Sequence, residues 1–412
     1  MNTSFDVIII GGGASGCSTA MQLSLQGRSV LVLDKAQFGS GSTGQAAGLG
    51  AQLRSNPSET RLLMEGMEVV GEMESRLNEK IFTRTGSLHV AATEDRAQEL
   101  RDFVESGKNI GFDIDLVGRE FAKSRLPCMR NDDLIEFCYC PTDGHFAPSE
   151  LLNGYIRIAR DAGATFLSHT RVEDINISGG SVKGVHTAGA SFFAPVVINA
   201  AGPWSYLVAE LTQTPMPTAT LGHYYLVTEP VQGLQISQTD AAIRDRANRI
   251  YSRPEMGGLL VGSYEEEPVE YAMEALPEDF QMSEIRIQRD NLNVALLIEA
   301  ASQRFPFINE RTPMSVTTGI MTFTPDGHAL CGPVQDVEGL YHCTGFNGRG
   351  VFQSTSVGIL MADLICHGHS RYQMEHLAAD RFSGEQWIDD RESIKNRCRN
   401  RYANHYLIAS KG

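Results

Sequence analysis

Apolar positions along this chain fall into short unbroken runs separated by longer stretches of helical period. Residues 5–10 and 29–33 are short, β-branched and apolar, as strands buried on both faces should be. Residues 14–26, 58–78, 96–107 and 148–162 read as helices, the last opening on Pro148-Ser149-Glu150. SLHVAA and LIEFCYC alternate as strands, and ATFLSHTRV, SVKGVHT and SFFAPVVINAAG are expected to return to the first sheet. Residues 221–228 and 249–264 predict longer strands around turns, followed by acidic, helix-prone segments to Phe305. Residues 339–368 read as strand, glycine turn and helix. The alternation predicts an α/β fold.

The first strand runs into GGGASG, where Gly11, Gly13 and Gly16 supply a G-x-G-x-x-G turn. Gly11 allows the tight turn, Gly13 lets backbone amides approach a pyrophosphate, and Gly16 lets the next helix pack closely. Phosphate would sit on that helix N-terminus, beside Ala14 and Ser15, where unpaired N–H groups and the dipole favour anions. Asp34 follows the second strand about 20 residues on, placed to accept from ribose hydroxyls and to repel a 2′-phosphate. Strand, helix, strand and acid together define a dinucleotide-binding unit.

At 412 residues the chain suggests two domains, and 42% apolar with 21% charged residues is ordinary folded composition. A net charge of −15 without a Lys/Arg-rich run argues against nucleic acid or anionic membrane as partner. No apolar run reaches the roughly 18 residues of a membrane span, and MNTS leads directly into the first strand without a targeting pattern. A cytoplasmic protein is expected. Eight scattered cysteines lack paired C-x-x-C spacing, and the Cys138-x-Cys140 pair reads better as two strand residues on one face than as ligands. No histidine has a second ligand at helical or hairpin spacing, so no metal site is expected.

Two later segments narrow the field. NAAGPWS sets Ala200, Gly202 and Trp204 after an apolar strand, and TGFNGRGV sets Gly345, Asn347, Gly348, Arg349, Gly350 and Val351 where a helix opens. With the N-terminal motif and TPDG, these resemble the D-amino-acid-oxidase-like family of FAD-dependent oxidoreductases, which includes glycine oxidase, sarcosine oxidases and dimethylglycine dehydrogenase. The resemblance covers about residues 4–368. It implies a Rossmann-type FAD-binding domain with a discontinuous antiparallel β-sheet substrate domain and the isoalloxazine between them. Residues 1–85, 147–220 and 315–370 are assigned to the FAD domain, 86–146 and 221–314 to the substrate domain, and 371–412 to a C-terminal helical extension. It further implies FAD contacts from Lys35, Ser42, Thr43, Gln45, Ala46 and Val172. Gln45 stands where dimethylglycine dehydrogenase carries its flavin-bonded histidine, and Gly319 where monomeric sarcosine oxidases carry a cysteine. Noncovalent FAD is therefore expected.

The family oxidises a C–H beside an amine nitrogen, passing hydride to flavin N5 and leaving an imine that water hydrolyses. The amine must be neutral, which for a free pKa near 10 costs ~4 kcal/mol at pH 7. RIYSRPEMGGLLVGSYE reads as a hairpin turning at residues 256–258, with Tyr251 and Arg253 on one face. Tyr251 matches the pocket tyrosine of sarcosine oxidases, and Tyr264 falls where they have a histidine. Arg253 either holds a substrate carboxylate or pairs with Glu255, and Arg54 is a second candidate anchor. His223 alternates with Tyr225 and either lines the pocket or packs in the core. Met321 or its neighbours replace the carboxylate-binding arginine of glycine oxidase, which favours secondary or tertiary, N-alkylated or cyclic substrates. The chain has no lysine between Lys183 and Lys395, which leans it toward a dehydrogenase. An NAD-dependent dehydrogenase, a homo-oligomer and a flavin-carrying β subunit in a heteromeric complex stay open.

Overall fold

The computed structural model describes residues 3–276 and 291–406. Its first sheet is built on the opening strand Val7–Ile10, which is buried along its whole length. Val30–Leu33 and Val196–Asn199 flank it in parallel, with Ile9 opposite Val32 and Ile198. Thr165–Leu167 closes one edge, and Leu340–Thr344 followed by antiparallel Leu330–Pro333 closes the other. Helices Ala14–Leu25, Pro57–Leu77, Pro148–Asp161 and Gly350–His367 bury Met21, Leu63, Tyr155 and Leu360 against it. Local sequence sets their ends. Asn56 accepts from Ser58 N–H at 2.8 Å ahead of Pro57, and Asn78 stops that helix in the left-handed region.

Only part of the expected return to this sheet occurs. Val172–Ser178, Ser181–Thr187 and Ser191–Phe193 form a separate three-stranded antiparallel sheet. Gly179 and Gly180, both at positive φ, turn the first pair, and one apolar face packs on Ile8, Ile10 and Leu31.

An eight-stranded sheet forms the second layer, in the order Met314–Phe323, Ala219–Thr228, Gly258–Ser263, Ile250–Glu255, Ala242–Asp245, Ser87–Ala91, Glu136–Cys140, Asp115–Leu116. Residues 315–323 do not join the first layer with the FAD domain as expected. Met314–Phe323 pairs with Ala219–Thr228 along its whole length, so it belongs to this sheet. The expected hairpin turns through Met256 and Gly257, both at positive φ. Of the helix-prone segment before Phe305, residues 277–290 lie outside the described residues, and Leu292–Arg304 is helical. Helix Arg391–Ala403 of the C-terminal extension docks on Ala219–Thr228 and Met314–Phe323.

Arg304 anchors this layer. Its side chain is fully buried, donating from Nε to Asp245 Oδ2 at 2.8 Å, from Nη1 to Asp133 Oδ1 at 2.8 Å and from Nη2 to Asp133 Oδ2 at 3.1 Å. Removing one partner leaves buried charge uncompensated. Arg304→Met should lower unfolding free energy by about 3–5 kcal/mol, read from urea denaturation.

Candidate functional site

A cavity of about 1330 Å³ runs between the C-terminal ends of the first sheet and one face of the second. At one end Gly11, at φ +112, passes so close to Ala200 that an added Cβ would lie 2.4 Å from its carbonyl oxygen. A Cβ on Gly16 would sit 2.0 Å from the Gly11 carbonyl. Gly16 is thus a packing residue that does not line the cavity. Helix Ala14–Leu25 opens toward the cavity with no acidic side chain in its first turn, and Ala14 N–H donates to Thr43 Oγ1 at 3.0 Å. Asp34 Oδ2 accepts from Gly12 N–H at 2.7 Å and Oδ1 from Ala36 N–H at 2.8 Å. Burial raises its pKa against those two donors, and each oxygen keeps a lone pair for a further partner.

The same end gathers Gly13, Ser15, Lys35, Ser42, Ala46, Val172, Gly202 and Trp204 around the cavity. The Lys35 ammonium lies 4.2 Å from the Trp204 ring centroid, and Ser42 Oγ donates to the Ile320 carbonyl at 2.6 Å. Farther in, Gly345, Asn347, Gly348, Arg349, Gly350 and Val351 line the wall where helix Gly350–His367 begins, again without a first-turn acid. Asn347, at φ 52, donates from Nδ2 to the Gly345 carbonyl at 2.5 Å and accepts at Oδ1 from Thr324 N–H at 2.9 Å, which shapes that turn. Gln45 and Gly319 are neighbours here, since a Cβ on Gly319 would fall 3.6 Å from Gln45 Cβ.

The inner end is aromatic and cationic. His223 Nε2 lies 2.7 Å from the Tyr251 hydroxyl, and Nδ1 lies 2.9 Å from the Tyr402 hydroxyl. Tyr402 donates in turn to Glu265 Oε2. Burial drives the His223 pKa down to about 3 and pushes Glu265 up to about 7. Tyr264 stacks on His405, with ring centroids 4.1 Å apart. Gly262 stands opposite Tyr251, where a Cβ would fall 2.2 Å from the phenol oxygen, so only glycine leaves room for that ring.

Arg253 is placed otherwise than as a free anchor. It donates from Nε to the Ala47 carbonyl at 2.6 Å and from Nη1 to the Pro254 carbonyl at 2.9 Å, pairs with Glu255, and does not line the cavity. Arg54 lines it but sits 3.6 Å from Glu59 Oε1, its pKa lowered to about 9 by burial and the charge of Arg349. His223 and Tyr225 both face the cavity. Sequence reasoning missed His89, Arg244, Glu265, Arg401, Tyr402, His405 and Tyr406. Alternation of Arg244 with Arg246 was the one local signal; the C-terminal residues reach the site only through docking of a helix whose polar face pattern is weak.

A parallel sheet with a glycine turn at its switch to helix, joined to a large antiparallel sheet over one elongated cavity, defines a nucleotide-dependent enzyme of two layers. Residues 6–364 match the family model described as FAD dependent oxidoreductase, and the chain belongs to that family. It is 29% identical to mitochondrial sarcosine dehydrogenase of Mus musculus over 98% of this chain and 44% of that protein. The chain thus spans less than half of that relative. It is 25% identical to glycine oxidase of Geobacillus kaustophilus (strain HTA426) over 94% of this chain and all of that protein. The crystal structure of L-proline dehydrogenase from P. horikoshii superposes with a TM-score of 0.81 at 21% identity, covering 93% of this chain and 98% of that one. Among the described residues no helix is long and apolar enough to cross a membrane.

The residues present fit FAD. Two helix N-termini without first-turn acids open on the cavity, Asp34 holds lone pairs at one end, and the buried Arg349 Nε has no hydrogen-bond partner at the other. Gly16→Val should force the first helix off its strand. Its flavin content after purification, measured by absorbance, is expected to fall below a tenth of the unmodified protein's.

Proposed function

We propose that this chain oxidises the C–N bond of a secondary or tertiary amino acid, N-alkylated or cyclic. The observation carrying this reading is the unbroken hydrogen-bonded series Tyr251, His223, Tyr402, Glu265, which starts in the cavity and ends on a buried carboxylate. FAD, when bound, accepts the hydride removed from carbon, and water hydrolyses the resulting imine.

The chain's own residues handle the proton. With Glu265 ionised, Tyr402 donates to it, so the Tyr402 oxygen accepts from His223 Nδ1–H. Nε2 must then accept from the Tyr251 hydroxyl. Tyr251 is left with lone pairs toward the cavity, where a substrate ammonium can donate. One shift along the series moves the amine proton to Tyr251, that of Tyr251 to His223 Nε2, that of Nδ1 to Tyr402, and that of Tyr402 to Glu265. The imidazole changes tautomer and carries no net charge afterwards, consistent with its low pKa. Arg244 and Arg349, both lining the cavity, depress the amine pKa and ease the transfer.

Gln45 supports a cofactor held without a covalent bond. The amide cannot form such a bond, and Gly319 beside it has no thiol. Acid precipitation should leave the yellow colour in solution, and colour retained in the pellet would contradict this.

Two further outcomes test the proton path. The accepting carboxylate must be ionised, so the rate of flavin reduction by substrate should rise with pH through an apparent pKa near that of Glu265, about 7. His223 stays neutral and adds no second step. Glu265→Gln should remove this limb and slow reduction on the order of 10²-fold, within the range for lost acid–base assistance. Stopped-flow absorbance under nitrogen measures both, and an unchanged profile in the Gln variant would refute the path.

A further inference from the structure

The cations lining the cavity differ in what they already hold. Lys35 lies over Trp204 and Arg171 is exposed, both at the nucleotide end. Arg54 has Glu59, Arg246 has Glu99, Arg349 donates to the Gly327 carbonyl, and Arg401 donates to the Asp326 carbonyl at 3.1 Å. Arg244 is different: among the described residues no carboxylate lies within ion-pair distance of it. Burial opposes its charge, but the Tyr406 phenol beside it and Asp143 outweigh that effect and leave its pKa raised, so the guanidinium is held charged. The Asp143 oxygens are already engaged, accepting from Gln52 N–H at 3.1 Å and Ser87 Oγ at 2.6 Å. A charged guanidinium with no carboxylate in contact and facing the cavity keeps donors for a bound anion.

An independent observation lies directly beside it. His89 is 4% exposed, lines the same cavity, and neither ring nitrogen has a hydrogen-bond partner. Strand register places it next to Arg244, which is paired with His89 on one side and with Tyr251 on the other. Directly opposed residues have Cβ atoms roughly 5 Å apart on one sheet face, so the Arg244 guanidinium and the Tyr251 phenol can both reach a single small ligand in the cavity. A neutral imidazole adds one N–H donor to the guanidinium fork.

We propose that Arg244, with His89 beside it, is the anion anchor of the substrate pocket, so that the substrate is an α-amino acid bound by its carboxylate at Arg244 with its nitrogen at Tyr251. This deepens the C–N oxidation reading and rests on it. Arg54 and Arg253, the anchors suggested by sequence, are occupied by Glu59 and by Glu255 with the Ala47 carbonyl.

The test titrates FAD-loaded protein with pyrrole-2-carboxylate and, separately, pyrrole-2-carboxamide, following the visible flavin spectrum. The unmodified protein should prefer the carboxylate by on the order of 10- to 100-fold, as expected for a charge-assisted contact. Arg244→Met should bring that preference near unity, Arg244→Lys should restore part of it, and His89→Asn should reduce it by a few-fold. Flavin content and thermal midpoint of each variant establish that it is folded, and if the Met variant is not, the Lys and Asn variants carry the comparison. Equal binding of the two probes by the unmodified protein, or full preference kept after substitution of Arg244, overturns the anchor. If amines still bleach the flavin in that case, C–N oxidation stands without it. Carboxylate preference that depends on Arg244 in a protein that no amine reduces supports the anchor and overturns the proposed oxidation.

Discussion

The close approach of three backbone segments at the end of the first strand sets everything downstream. Gly11 lies against Ala200, and Gly16 lies against Gly11, at separations no side chain would permit. That contact fixes where helix Ala14–Leu25 begins and therefore where its unpaired N–H groups point. Gly358 repeats the device on the far side, where a Cβ would fall 2.3 Å from Ser18 Oγ, drawing helix Gly350–His367 against the first. Both helix N-termini consequently open on the same cavity.

The second layer completes that cavity by register. Gly319 stands opposite His223 in the pairing of the two longest strands, and it is also the residue in contact with Gln45 of the nucleotide loop. The two layers meet there, where the aromatic end of the cavity begins. Across the same sheet, Tyr225, Gly262, Tyr251, Arg244 and His89 are successive register partners. A row of this kind puts polar side chains from separate strands on one face without any of them being adjacent in the chain.

The C-terminal extension supplies what the sheet cannot. Tyr402 bridges His223 to Glu265, His405 stacks on Tyr264, and Arg96 donates to the Tyr406 carbonyl while Arg249 Nη2 donates to the Ala403 carbonyl at 2.7 Å. These two arginines fasten the last described turn over the cavity. The inner wall of the site therefore depends on a segment outside the matched residues 6–364.

Sequence alone determined the glycine-turn end of the cavity, because its geometry is local. Gly11, Gly13, Gly16 and Asp34 act through one strand–turn–helix–strand unit, so their spacing along the chain is their spacing in space. NAAGPWS and TGFNGRG were legible for the same reason, each being a turn directly after an apolar strand. Only the tertiary structure decided the aromatic and cationic end of the cavity. It assigned Met314–Phe323 to the larger sheet, spent Arg253 on Glu255 and a carbonyl, and brought Arg244, His89, Glu265 and Tyr402 together. Which residues face one another across strands depends on pairing partners far apart in the chain, and a charged residue's role depends on whether folding gives it a counter-ion. Neither property is carried by hydrophobic period or by motif.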